Sequence, residues 1–186
     1  TILVIALIVV IAMIIIRYGK NYLNEKEISK TLTTIEEELS NQSLNNENEI
    51  LDVEYKGYKI EGIIEIPEIN IKYPIINETN EETMKISVTK FSGPQANEIG
   101  NYCVAGHNNR DGTMFGKTSH LKIGDTIKLT NLKNETIEYK IFKIYSIDPS
   151  DVTCANSVDP TTREITLITC TNGHKSRLIT KARQII

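Results

Sequence analysis

The 186-residue chain has no tryptophan, five prolines, and only three residues each of cysteine, histidine and phenylalanine. Three thiols cannot all pair within one chain, so a complete disulfide framework is excluded. No Cys-x-x-Cys pair occurs, which removes the common zinc and thioredoxin-type patterns. A Lys/Arg-rich block is absent too, and 21 basic against 24 acidic residues leave a net charge of −3. Proteins that grip nucleic acid electrostatically usually present a basic surface, so no nucleic-acid partner is expected. Isoleucine is abundant, and that β-branched bias favours strands in the folded part. No internal repeat is visible, and each cysteine has to be explained singly.

Residues 1–16, TILVIALIVVIAMIII, are aliphatic and uncharged. A membrane span usually takes about 17–25 apolar residues, so the run is short as it stands. It opens without Met or a basic flank, and the expectation is an N-terminally truncated transmembrane anchor over residues 1–19. A cleaved signal peptide would need a small-residue cleavage site, whereas Arg17-Tyr18-Gly19-Lys20 follows. Arg17 and Lys20 alone do not fix the topology, because the positive-inside tendency counts charge on both flanks. Within 20–44, Ile28, Leu32, Ile35 and Leu39 recur at steps of four and three, one face of an amphipathic juxtamembrane helix. The polar SNQSLNNENE (40–49) reads as a linker, so residues 20–50 form a helix-plus-linker spacer.

Residues 51–186 are enough for one core. Short alternating runs predict strands at 58–66, 69–74, 102–106, 126–129, 137–147, 164–169 and 177–185. Only brief helical turns are expected, near 81–85 and 115–120. Many short strands with little helix indicate a mainly β domain, a closed barrel or a sandwich.

Cys170 ends the run EITLITC and is followed at once by the polar, Gly-containing TNGH. A thiol there is held by a rigid strand and reached through an open loop. Its reactive form is the thiolate, which a nearby cation stabilises. Arg177, seven residues on, would return beside it through a hairpin. Free cysteines are more often buried small hydrophobes, and Cys170 alone would be read that way. His107 changes the balance: it ends a comparable run, YCVAGH, before the polar NNRDG. If the two strands share a rim, thiol and imidazole form a nucleophile with a proton-transfer partner.

These residues resemble a known family. Thr166-Leu-Ile-Thr-Cys170 resembles the TLxTC signature of the sortases, the cysteine transpeptidases of Gram-positive bacterial surfaces. Ala105-Gly-His107 matches the family's upstream His motif, and Arg177 stands where its essential Arg lies. The segment from Pro67 to Pro74 is similar to the opening of many sortase domains. The resemblance covers most of residues 58–186. It implies a closed eight-stranded β-barrel with short helices, preceded by the membrane and juxtamembrane helices. It also implies Cys170 as nucleophile, His107 as general acid/base, and Arg177 as the group stabilising oxyanion and substrate. The expected partners are secreted proteins with a C-terminal LPxTG-like sorting motif, and an amine of peptidoglycan or its lipid-linked precursor. No metal or organic cofactor is implied, and Glu78, Glu81 and Glu82 read as a solvated acidic loop. The expected location is the cell membrane, single-pass, with the catalytic domain outside.

Other residues rank lower. Cys103 reads as core packing, and Cys154 as a loop thiol, exposed or incidental. His120 ends a short helix. His174 competes with His107, but site residues usually converge from separate strands, which favours His107. Asn108 and Thr169 are candidate lining residues without an assigned role. The short Cys170–Arg177 spacing implies a tight hairpin. With no C-terminal hydrophobic segment and no Asp-Pro lid, it points to a class B- or class D-like enzyme. Non-catalytic binding and hydrolysis by water are the alternatives.

Overall fold

A computed structural model describes residues 2–44, 51–157, 159 and 161–185. It opens with one helix, α1 (Ile2–Leu44), which runs without a break through both expected helical segments. The chain from 1 to 44 holds no proline, and Gly19 alone costs only about 1 kcal/mol in a helix interior, so nothing forces a stop. Residues 45–50 of the expected linker lie outside the described residues.

Nine strands follow: β1 (Glu54–Tyr55), β2 (Tyr58–Ile66), β3 (Ile71–Ile76), β4 (Val88–Ser92), β5 (Gly100–Ala105), β6 (Thr126–Asn131), β7 (Thr136–Ile147), β8 (Arg163–Thr171) and β9 (Ser176–Gln184). Their order is β1-β2-β3-β4-β5-β8-β9-β7-β6, and β6 pairs back onto β2. The pairing closes β2 to β9 into the expected eight-stranded barrel, with β1 appended as a two-residue strand. Two contacts are parallel, β3 with β4 and β5 with β8. A 3₁₀ turn at Pro67–Ile69 shifts the start of β3 two residues beyond the expected position.

The two halves of α1 differ in environment. Residues 2–16 are exposed and apolar, and the helix is long and apolar enough to cross a membrane. Ile28, Leu32, Ile35 and Leu39, by contrast, are buried within the main core beside Ile63, Ile71 and Tyr73. Their four-three spacing puts them on one stripe. Polar contacts frame it: Lys56 with Glu27 at 2.9 Å, Lys72 with Glu36, and Asn24 Nδ2 donating to the Ile86 carbonyl at 3.2 Å. The second half of α1 is therefore a strap on the barrel.

The barrel strands β5 and β8 separate two cores by their period-two alternation. Tyr102, Val104, Ile165 and Leu167 belong to the main core, while Cys103, Ile168, Ile179 and Cys154 form a second, smaller cluster. In a closed barrel the second cluster occupies the outer face, and the loop between β7 and β8 covers it through the turn Thr153–Ala155.

Candidate active site

The parallel pairing of β5 with β8 brings the two expected residues to one rim. Ala105 is level with Ile168, so two residues further His107 is level with Cys170. Period-two alternation puts Cys170 on the outer face with Ile168, and His107 follows β5 two residues past its end. Beyond the end of β5 the register is held by hydrogen bonds. Gly106 N–H donates to the Ile168 carbonyl at 3.1 Å, and Thr169 Oγ1 donates to the Gly106 carbonyl at 2.7 Å. Asn108 Nδ2 then donates to the Cys170 carbonyl at 2.7 Å. Thr169 and Asn108, which carried no role in the sequence, thus tie the His107 segment to the cysteine strand. At Gly106 an added Cβ would lie 2.7 Å from the Phe115 ring and 3.0 Å from Val88, so glycine permits the approach of the loop behind it.

Arg177 arrives from the other side. β8 and β9 are antiparallel with Cys170 opposite Arg177, and Arg177 Nη1 donates to Cys170 Sγ at 2.6 Å. The connection is the expected tight hairpin, a turn over Asn172–His174. All three of its residues have left-handed φ, 50°, 62° and 71°. Only Gly173 adopts that region freely, so the turn holds two non-glycine residues in an uncommon conformation beside the site.

The three thiols have separate environments. Cys103 is fully buried, and burial pushes its thiol up, as it does that of Cys154. Cys154 lies in a loop as expected but is 3% exposed, which corrects the alternative of an exposed thiol. The cause is its turn, folded down onto Cys103 and Ile168. Cys170 is half-buried and alone among the three touches a guanidinium. The other two thiols lie in the buried second cluster, out of contact with any guanidinium among the described residues.

Burial lowers the His107 pKa, and repulsion from His174 and then Lys85 lowers it further. His174 is exposed and acts on His107 through its charge. His120 ends a 3₁₀ turn, exposed. Among the described residues no group of three or more His, Cys, Asp or Glu could hold a metal ion; Glu82 instead accepts from the Tyr58 hydroxyl at 3.1 Å.

Sequence reasoning missed the seat of the β7–β8 loop. Buried Asn101 donates through Nδ2 to the carbonyls of Cys154 (3.1 Å) and Ala155 (3.0 Å), and accepts from Thr166 Oγ1 at 2.7 Å. Lys181 Nζ donates to the Asn156 carbonyl at 2.8 Å. The loop leaves β7 at Ile147, which pairs with Arg177. A buried Asn within an apolar strand was the available signal.

Comparison with known proteins agrees with this fold. Residues 64–185 match the sortase domain family. Sortase A of Listeria monocytogenes is 32% identical over 117 residues, covering 62% of this chain and 51% of that protein. Sortase D of Bacillus subtilis is 32% identical over 110 residues, 59% of this chain and 53% of its own length. The chain thus spans about half the length of both. Among solved structures, a Clostridium perfringens sortase D5 transpeptidase superposes with a TM-score of 0.69 at 27% identity, covering 87% of this chain and 99% of that one. A closed eight-stranded barrel matched over residues 64–185 defines the class of protein. The chain belongs to the sortase family.

Proposed function

We propose that the chain is a cysteine transpeptidase that cuts a C-terminal LPxTG-like sorting motif and transfers the protein to a cell-wall amine. The observation that carries this reading is the Arg177–Cys170 contact, with His107 level with the thiol on the neighbouring strand. The Cys170 thiolate attacks the scissile carbonyl, and the developing oxyanion sits near the Arg177 guanidinium. Collapse of the adduct breaks the C–N bond, and His107 gives its proton to the departing amine. An acceptor amine then attacks the thioester, loses a proton to His107 and releases Cys170. The acceptor is an amine of peptidoglycan or its lipid-linked precursor. The tight hairpin and the match over nearly the whole sortase D5 chain support a class D-like enzyme.

The apolar start of α1 serves as a single-pass anchor, with the barrel on the extracellular side. In domain terms, residues 1–19 form the anchor, 20–50 the helix and linker, and 51–186 the catalytic barrel. Ile16 and the first docked residue, Ile28, are separated by about 18 Å of helix. The strap therefore holds the barrel within a short, fixed distance of the bilayer.

Incubating the full chain with sorting-motif peptides and an amine, followed by mass spectrometry, tests the reading. A peptidyl adduct on Cys170 that passes to the amine is the expected result, lost in Cys170→Ala and His107→Ala variants that keep the fold. Release only as free acid would make the chain a hydrolase. If no adduct formed with any peptide, a binding domain would replace the enzyme.

A further inference from the structure

The strap and the His107 loop meet at one side chain. Tyr73, on β3, is buried, and its hydroxyl donates to Glu25 Oε2 of α1 at 2.7 Å. The same oxygen accepts the Met114 N–H at 2.8 Å. Met114 closes the loop that begins at His107: it bridges Asn108, while the next residue, Phe115, donates its N–H to the His107 carbonyl at 3.0 Å. Asn108 in turn donates to the Cys170 carbonyl. A continuous set of contacts therefore runs from Glu25 through Tyr73, Met114 and Asn108 to the cysteine strand.

Two features show that the loop needs an external hold. Met114 has φ of 50°, a left-handed conformation uncommon for a residue with a side chain, so local preference does not keep it there. Its N–H is buried, and no partner from its own hairpin takes it; the phenol from β3, 41 residues away, does. A buried N–H without an acceptor is costly, so removing the hydroxyl favours another arrangement of the loop. Burial raises the Glu25 carboxyl, against the lowering hydrogen bond from Tyr73 and with repulsion from Asp111.

We propose that Tyr73 is a positioning residue for the His107 loop, and that through Glu25 it references that loop to the barrel-docked half of α1. This role rests on the reading of His107 as the proton-transfer group. Tyr73 does not touch the reacting atoms; it holds the left-handed Met114 turn, which fixes where the His107 carbonyl and Asn108 lie.

The test compares the full chain with Tyr73→Phe and Glu25→Gln in detergent micelles, by amide exchange and by transfer kinetics. Tyr73→Phe keeps the ring and removes the hydroxyl. Exchange at Met114 and Phe115 should accelerate on the order of tenfold, with β8 and β9 unchanged. Turnover should fall at least about fivefold at nearly constant KM, as expected when proton transfer is misaligned and binding is not. Glu25→Gln keeps an acceptor for the phenol and should stay within about twofold of the parent in both readouts. Unchanged exchange at Met114 and Phe115 in Tyr73→Phe would overturn the proposal, as would a loss of protection spread over the barrel. The exchange arm needs no substrate. Faster loop exchange in a chain that transfers no peptide would support the positioning role while refuting the transpeptidase reading.

Discussion

Ile35→Ala should release the strap, and the size of the effect follows from what holds it. Ile35 is 1% exposed, in line with Ile28, Leu32 and Leu39. Truncating a buried Ile to Ala costs about 2–5 kcal/mol, depending on how far the site collapses. The competing holders are weaker. The Lys56–Glu27 and Lys72–Glu36 pairs are each a third to a half exposed, and such pairs contribute about 0–1 kcal/mol apiece. The apolar stripe therefore dominates. A loss of about 2–5 kcal/mol shifts the docking equilibrium by roughly 30- to 5,000-fold. Amide exchange across residues 28–39, measured on the full chain in detergent, reads this directly, because an undocked amphipathic segment frays. Glu36→Gln should change it by less than about fivefold, and so should 1 M salt, which screens the pairs and leaves the stripe intact. The reasoning fails if Ile35→Ala leaves exchange unaltered, or if Glu36→Gln or salt matches its effect.

Two further outcomes follow from the site. His174→Ala removes a charge that repels a proton on His107, so the His107 imidazole should titrate at higher pH and carry more imidazolium just above its present midpoint. Imidazole NMR resolves the direction, and a downward shift or none would contradict it. Asn101→Ala leaves the Cys154 and Ala155 carbonyls and the Thr166 hydroxyl without their shared partner, at a cost on the order of 2–4 kcal/mol. Denaturant midpoints should fall while exchange rises first in residues 153–156; an unchanged loop would mean that Lys181 alone holds it.

Much of this was legible in the chain, for identifiable reasons. β2, β7, β8 and β9 are the longest strands and sit within one or two residues of their expected positions. β4 was not seen, because VTKFS is short and owes its strand to partners far away: β3 on one side and a bulged pairing with β5 on the other. α1 was read as two segments since composition changes at Arg17, yet nothing in the backbone preferences ends a helix there. At the site, Cys170 opposite Arg177 follows from a hairpin and could be read locally. That the His107 segment comes level with Cys170 depends on a parallel pairing of β5 with β8, about 63 residues apart in the chain, which no local pattern encodes. The same holds for Tyr73, a strand tyrosine whose hydroxyl acts on a loop 41 positions on.

The β2–β6 closure has a consequence for a protein that would handle extended peptides. An open sheet offers its last strand as a template, and any unfolded segment can add itself there through main-chain hydrogen bonds. Here the β2–β6 pairing joins the two ends of the sheet, and among the described residues the appended strand β1 is two residues long. A passing polypeptide finds no long terminal strand to extend. Closing the barrel thus works as a filter: it disfavours edge-to-edge addition at the ends of the sheet and leaves side-chain contacts to hold an extended chain.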